Sequence, residues 1–159
     1  MNAKAETVTP PGLTRRPKVG LVLSYVGHYH SVKVLHRFLQ LAGFEVVTSR
    51  RSTAPIIDTG TAMTSADFCL PLRVYVGHVF HLAQKHPDLD AILAPNVWTD
   101  HAGSATCSKY RDVGGTAIRS LVGMVSYMEG KGSHPLPRVI RPDVQSPDRT
   151  TLRNVAYDV

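Results

Sequence analysis

The chain has 159 residues, enough for one domain that hides roughly 70% of its unfolded surface. Its hydrophobic fraction of 43% is that of an ordinary globular protein, and no apolar run approaches the roughly 20 residues that span a bilayer. The formal charge of +6 comes from scattered Lys and Arg with no basic stripe interleaved with aromatics, which argues for solubility and an anionic ligand rather than nucleic acid.

Residues 1–17 hold Pro10, Pro11, Gly12 and Pro17 without apolar periodicity, so a disordered arm is expected. The first seven residues lack the apolar segment of a secretion signal, and a cytoplasmic protein is expected. Lys18 to Tyr25 is rich in Val and Leu, as a central parallel strand buried on both faces would be. Gly27 to His30 reads as a loop, and Ser31 as the N-cap of a helix from Val32 to about Ala42. Gly43 suits the position just past that helix. Phe44 to Thr48 is the second strand. Thr53 is placed to cap a short helix with Pro55 in its first turn, ending at Gly60, and Thr61 to Met63 reads as a third short strand.

Asp67 to His81 is the stretch around which the rest is arranged. Cys69 precedes Pro71, which opens a helix to Lys85 whose apolar face is Leu72, Val76, Val79, Phe80 and Ala83. His86 before Pro87 ends it. Leu89 to Ala94 is the next strand, a polar loop with Cys107 follows, and a helix from Thr116 to Met128 closes the unit. Residues 129–159 are broken by Gly and Pro and read as an extended tail, with short strands at Arg138–Ile140 and Asn154–Tyr157, laid on the domain or on a dimer partner.

Strands alternating with helices over 18–128 predict an α/β domain: an open parallel sheet with helices on both faces, a flavodoxin-like or Rossmann-like three-layer unit. Such sheets bind ligands at the carboxyl ends of their strands. Right-handed crossovers would gather the loops there, bringing Cys69 and Cys107 near His28, His30, Ser49, Thr53, Trp98 and His101.

A thiol just before a helix sits in the field of the positive helix terminus and is suited to be a nucleophile, a redox thiol or a metal ligand. Two cysteines are too few for a disulfide framework, and the bland alternative is two buried thiols with no role. His78 and His81, three apart on one helix, fit either zinc or packing, and no Glu-bearing metalloprotease motif accompanies them. No phosphate-binding glycine motif is present in the sequence. For iron–sulfur, two thiolates are half of the usual four. A homodimer sharing one cluster across a two-fold axis would supply the other two; a His, water or substrate atom is the alternative.

Lys18-Val-Gly-Leu21, Leu41-Ala-Gly-Phe-Glu-Val-Val-Thr-Ser49 with Thr53, Asp67-Phe-Cys-Leu-Pro-Leu-Arg73 with Gly77-His78-Val79, and Cys107-Ser-Lys-Tyr110 follow one another in an order that resembles the CoA-substrate-specific enzyme activase-related domain. That family is allied to the iron–sulfur subunits of 2-hydroxyacyl-CoA dehydratases, and the likeness covers about residues 18–125. The resemblance implies that Cys69 and Cys107 are metal ligands of a [4Fe–4S] cluster at the edge of a flavodoxin-like sheet. It implies a lyase or dehydratase acting on a small acyl or carbonyl substrate. His28, His30, Ser49 and His101 are then the candidates for substrate contact or proton transfer. The alternative is a cluster-free binding module or a regulatory subunit of a larger enzyme.

Overall fold

Short runs of Val, Ile and Leu build a sheet that is buried on both faces, and each face selects its own helices. The computed structural model describes residues 15–23, 29–49, 51–97, 99–101, 104–105, 107–113, 115–120 and 137–144. In chain order these form β1 (Lys18–Leu21), α1 (Tyr29–Leu41), β2 (Glu45–Thr48), α2 (Ala54–Ala62), α3 (Leu70–Lys85) and β3 (Ala91–Leu93). There follow β4 (Asn96–Val97), β5 (Thr99–His101), β6 (Ser104–Ala105), a turn of tight helix at Tyr110–Asp112, a helical stretch at 115–120, β7 (Arg138–Ile140) and β8 (Asp143–Val144).

The main sheet is all-parallel in the order β2-β1-β3-β7, with Val19 opposite both Val46 and Ala91, and Ile92 opposite Val139. Side chains alternate faces along each strand. Val19, Leu21, Ala91, Leu93 and Ile140 pack with Val32, Leu35 and Leu39 of α1. Val22, Ile92 and Ala94 pack with the inner face of α3, joined by Val113 and Ala117. This is the expected three-layer α/β unit. Right-handed crossovers explain the split: β1 to β2 and β2 to β3 step in opposite directions, so α1 and α3 fall on opposite faces.

α1 begins at Tyr29, not Val32, so Ser31 lies inside its first turn and is not the N-cap. Nothing between Tyr29 and Ser31 breaks a helix, and serine is tolerated within one, so the serine marked no boundary. Its end is as expected. Gly43 takes φ 93°, Phe44 N–H donates to the Leu39 carbonyl at 3.0 Å, and Gly43 N–H to that of Gln40 at 3.2 Å. That pair of bonds is a Schellman closure, which needs the left-handed residue glycine supplies.

The strand expected at Thr61–Met63 is instead the last turn of α2, closed by Met63 N–H to the Thr59 carbonyl at 3.0 Å and Thr64 Oγ1 to the Gly60 carbonyl at 2.7 Å. The helix does not stop at Gly60, because that glycine is its contact with α3. A Cβ on Gly60 would land on the Arg73 carbonyl oxygen, and one on Gly77 on that of Ile56.

α3 starts one residue before its expected position and ends at His86, where Pro87 follows. At the sheet's amino edge, Asp90 N–H bonds the Lys18 carbonyl at 2.9 Å. Arg15–Asp90 at 2.6 Å and Lys18–Asp88 at 2.5 Å are exposed pairs there and contribute little to stability. Arg138–Ile140 is a strand as expected, and it packs on the domain as an edge strand of the main sheet. The pairing continues beyond it, through Ala94 N–H to the Ile140 carbonyl and parallel β4–β8. Residues 121–128 and 154–157, expected as helix and strand, lie outside the described residues, as do the first 14. Among the described residues no helix is long and apolar enough to cross a membrane.

Candidate functional site

α3 has 16 residues and is about 24 Å long, whereas a four-residue strand spans only about 13 Å. Its carboxyl end is anchored near the amino edge of the sheet, so its amino end overhangs the carboxyl edge. Cys69 is the N-cap at that overhang, with extended backbone (φ −66°, ψ 153°). It reaches the carboxyl edge as the residue before a crossover helix and not, as expected, on a loop following a strand. Leu72 N–H and Arg73 N–H both bond its carbonyl, at 3.1 and 3.2 Å, while its side chain makes no capping bond. Both Cys69 and Cys107 are free and exposed, so neither is the buried, inert thiol of the bland alternative.

The loop before Cys69 has three successive carbonyls held by cations. Arg73 Nη2 donates to the Ala66 carbonyl at 2.6 Å and Arg73 Nε to that of Phe68 at 2.7 Å. The carbonyl between them, of Asp67, accepts from Lys109 Nζ at 2.9 Å. The same ammonium lies 5.8 Å from the centre of the Phe68 ring, a cation–π distance. Lys109 is two residues beyond Cys107, and Asp67 two residues before Cys69. The two cysteine segments, far apart in sequence, therefore meet.

Ser49 follows β2 and is almost wholly buried, at 2% exposure. Its N–H donates to the Leu21 carbonyl at 3.0 Å, and its Oγ accepts from Leu23 N–H at 2.8 Å. The hydroxyl thus ties the segment leaving β1 to the end of β2 and keeps its own proton to donate. His30 belongs to the first turn of α1 and His101 to β5, with their side chains outside the described residues; His28 and Trp98 lie outside them altogether. Thr53 is the N-cap of α2, as expected, without a side-chain capping bond.

His78 is fully buried, and its Nε2 lies 2.9 Å from Ser52 Oγ. Burial, reinforced by the nearby His81, pushes its pKa down from 6.5 to about 4. A neutral imidazole bonded to a hydroxyl at the α2–α3 junction is a packing histidine, the second of the two roles open to it. Among the described residues no three His, Cys, Asp or Glu side chains cluster as a metal site would require.

Arg73 and Lys109 are the residues sequence reasoning missed. A signal existed for Arg73: a cation in the first turns of a helix opposes the helix dipole and needs a compensating partner. Here the partners are the two carbonyls. No such signal marked Lys109, whose contact is with a distant backbone group.

No curated protein and no solved structure matches the chain. A family model described as "CoA enzyme activase uncharacterised domain (DUF2229)" matches residues 18–132, a span that takes in most of the sheet, both cysteines and both of the cations that join their segments. The chain belongs to this CoA enzyme activase-related domain family.

Proposed function

We propose that Cys69 and Cys107 form half of a [4Fe–4S] site, completed by the same pair from a second copy of the chain, and that this site serves a dehydratase-type lyase reaction on a small acyl or carbonyl compound. The observation that supports this is the Lys109 bond to the Asp67 carbonyl, which draws together two segments that each carry an exposed thiol. Sulfur donors suit iron, and two per chain fit half of the usual set of four. The surrounding ammonium and guanidinium suit a ligand that carries negative charge. When bound, the cluster supplies a Lewis-acidic iron or a one-electron donor. The chain itself supplies position and protons. Ser49 holds the segments after β1 and β2 in register and has a hydroxyl proton to donate, while His28, His30 and His101 are the titratable groups assigned to proton transfer. Exposed free thiols suit a reducing compartment, in keeping with a cytoplasmic protein.

Purification without oxygen is expected to give a brown protein containing iron and sulfide, with a broad visible band that is lost in Cys69→Ser and in Cys107→Ser. Full retention of iron and sulfide by the double variant would overturn the proposal. A second reading, a regulatory subunit of a larger enzyme, is favoured by the family's description as a CoA enzyme activase domain. It predicts a stoichiometric larger partner on gentle purification, with the protein colourless.

A further inference from the structure

We infer that Lys109 is a positioning residue that sets the spacing between Cys69 and Cys107. Its place in a cluster site rests on the reading proposed above; its effect on the two thiols does not.

The loop 66–68 carries two kinds of restraint. Arg73 is local: it belongs to the helix that the loop leads into, and it holds the carbonyls of Ala66 and Phe68. Those bonds fix the shape of the loop but say nothing about Cys107. Lys109 is not local. It follows α3 and β3 in the chain, and takes the carbonyl that Arg73 leaves between its own two. Its methylene stem spans the gap, while its charge faces both a carbonyl oxygen and the face of the Phe68 ring. Both groups favour a cation and neither neutralises it.

Tying residue 109 to residue 67 leaves two residues of slack on each side before a sulfur is reached. Among the described residues, the Cys107 segment is flanked by the β5–β6 pair before it and the tight helical turn at Tyr110–Asp112 after it, and neither of these contacts the Cys69 loop in the way the tie does. Without the tie, the distribution of sulfur–sulfur distances widens, and any group that must be held by both thiols pays that ordering entropy on binding. Lys109 is exposed, so replacing it takes no buried side chain out of the core.

The test is made first on the metal-free, reduced chain with dibromobimane. This reagent alkylates two thiols in turn, releasing bromide at each step, and fluoresces strongly once both arms have reacted. At low protein concentration, with the bridged product confirmed by mass as a single chain, the native protein is expected to be bridged between Cys69 and Cys107. Lys109→Met is expected to slow the bridging step by roughly fivefold, the population change that one hydrogen bond is worth. Lys109→Arg, which keeps a cationic donor, should restore it. Equal bridging in the native and Met proteins, or no bridging in either, would overturn the inference. All three proteins should unfold cooperatively, with the Met variant lower by only about 2–4 °C, the shift that one hydrogen bond is worth, so that the slower bridging is read on folded protein. Iron content and the rate of bleaching by a chelator then read the same residue in the loaded protein: the Met variant should bleach faster and the Arg variant at the native rate. A native protein that never takes up iron and sulfide would defeat the proposed function, while the bridging result would stand or fall independently.

Discussion

His78 shows what one buried side chain does to the pH dependence of the whole. Its imidazole is neutral in the fold down to about pH 4, whereas in the unfolded chain it gains a proton near 6.5. Above 6.5 the histidine is neutral in both states and contributes nothing to the slope. As pH falls from 6.5 towards 4, only the unfolded chain takes up the proton, so stability is lost on acidification. At pH 5 that loss is about 2 kcal/mol. In His78→Gln an amide can still meet Ser52 but cannot titrate. The variant is expected to be less stable than the native protein by roughly 1 kcal/mol at neutral pH, and to close or reverse that gap at pH 5. Urea unfolding at the two pH values reads this directly. Asp88 and Asp90, held below the usual carboxylate range chiefly by hydrogen bonds from Lys18 and Arg15, add their own acid lability. They add it equally to both proteins, so it cancels in the difference; parallel pH profiles would show that His78 is not the source.

Ser49 raises a different question at the same scale, because its oxygen is already engaged by Leu23 N–H. Ser49→Ala leaves that buried donor without its acceptor and is expected to cost about 1–3 kcal/mol. Ser49→Thr keeps the oxygen. If Ser49 also acts on substrate, the Thr variant should remain near native stability while its reaction rate changes; stability and rate lost together in Ala and restored together in Thr would mark a purely structural serine. The sequence showed Ser49 as a polar residue at a strand end, which suits either role. The bond that decides its structural role comes from the segment after β1, and no local pattern reveals it.

Among the elements, the sheet strands were the most legible. Val- and Leu-rich runs with breakers at each end predicted β1, β2 and β3, and their parallel pairing follows from the helices between them; β7 was expected as a short strand of a tail, and its place in the main sheet was not. Boundaries set by side-chain capping were less so: Ser31 had the right chemistry for an N-cap and the wrong position. The misread strand at Thr61–Met63 has a more informative cause. Gly60 looked like a helix end because glycine commonly is one, yet here it is the point where α2 meets α3 backbone to backbone. A glycine that ends a helix and one that admits a neighbouring helix look alike in a single sequence. They differ under substitution. Gly60→Ala and Gly77→Ala each push a methyl group into a carbonyl oxygen of the partner helix and should destabilise the fold by roughly 1–3 kcal/mol. Since the carbonyl that Gly60 approaches is that of Arg73, the displacement at Gly60 falls on the turn that grips the Cys69 loop. Gly60→Ala should therefore also slow bridging of the two cysteines, even where the protein is still folded by circular dichroism. A thermal midpoint equal to that of the native protein would show that the two helices are free to separate.

For the whole molecule, the open question is how many chains make one site. Each chain carries a formal charge of +6, and two copies placed with their cysteine segments face to face also oppose Lys109 to Lys109. That repulsion acts against association, most strongly at low salt, where screening is weak. Favouring association are Leu70, 58% exposed beside Cys69, and the half-buried Phe68. This is a small apolar patch for holding two chains together unaided. The bridging cluster proposed above would change the balance, because four thiolates around its irons would bring negative charge to the point where the cations meet. The metal-free chain is accordingly expected to be monomeric in dilute low-salt solution, and the iron-loaded protein dimeric, with about four irons per two chains. Leu70→Glu should weaken the loaded dimer and release iron with it. Light scattering on both forms, with iron counted on the same samples, distinguishes the arrangements. About four irons on a chain that remains monomeric would mean that one chain holds a whole cluster on two thiols, with the remaining positions left to other ligands. The shared site would then be excluded.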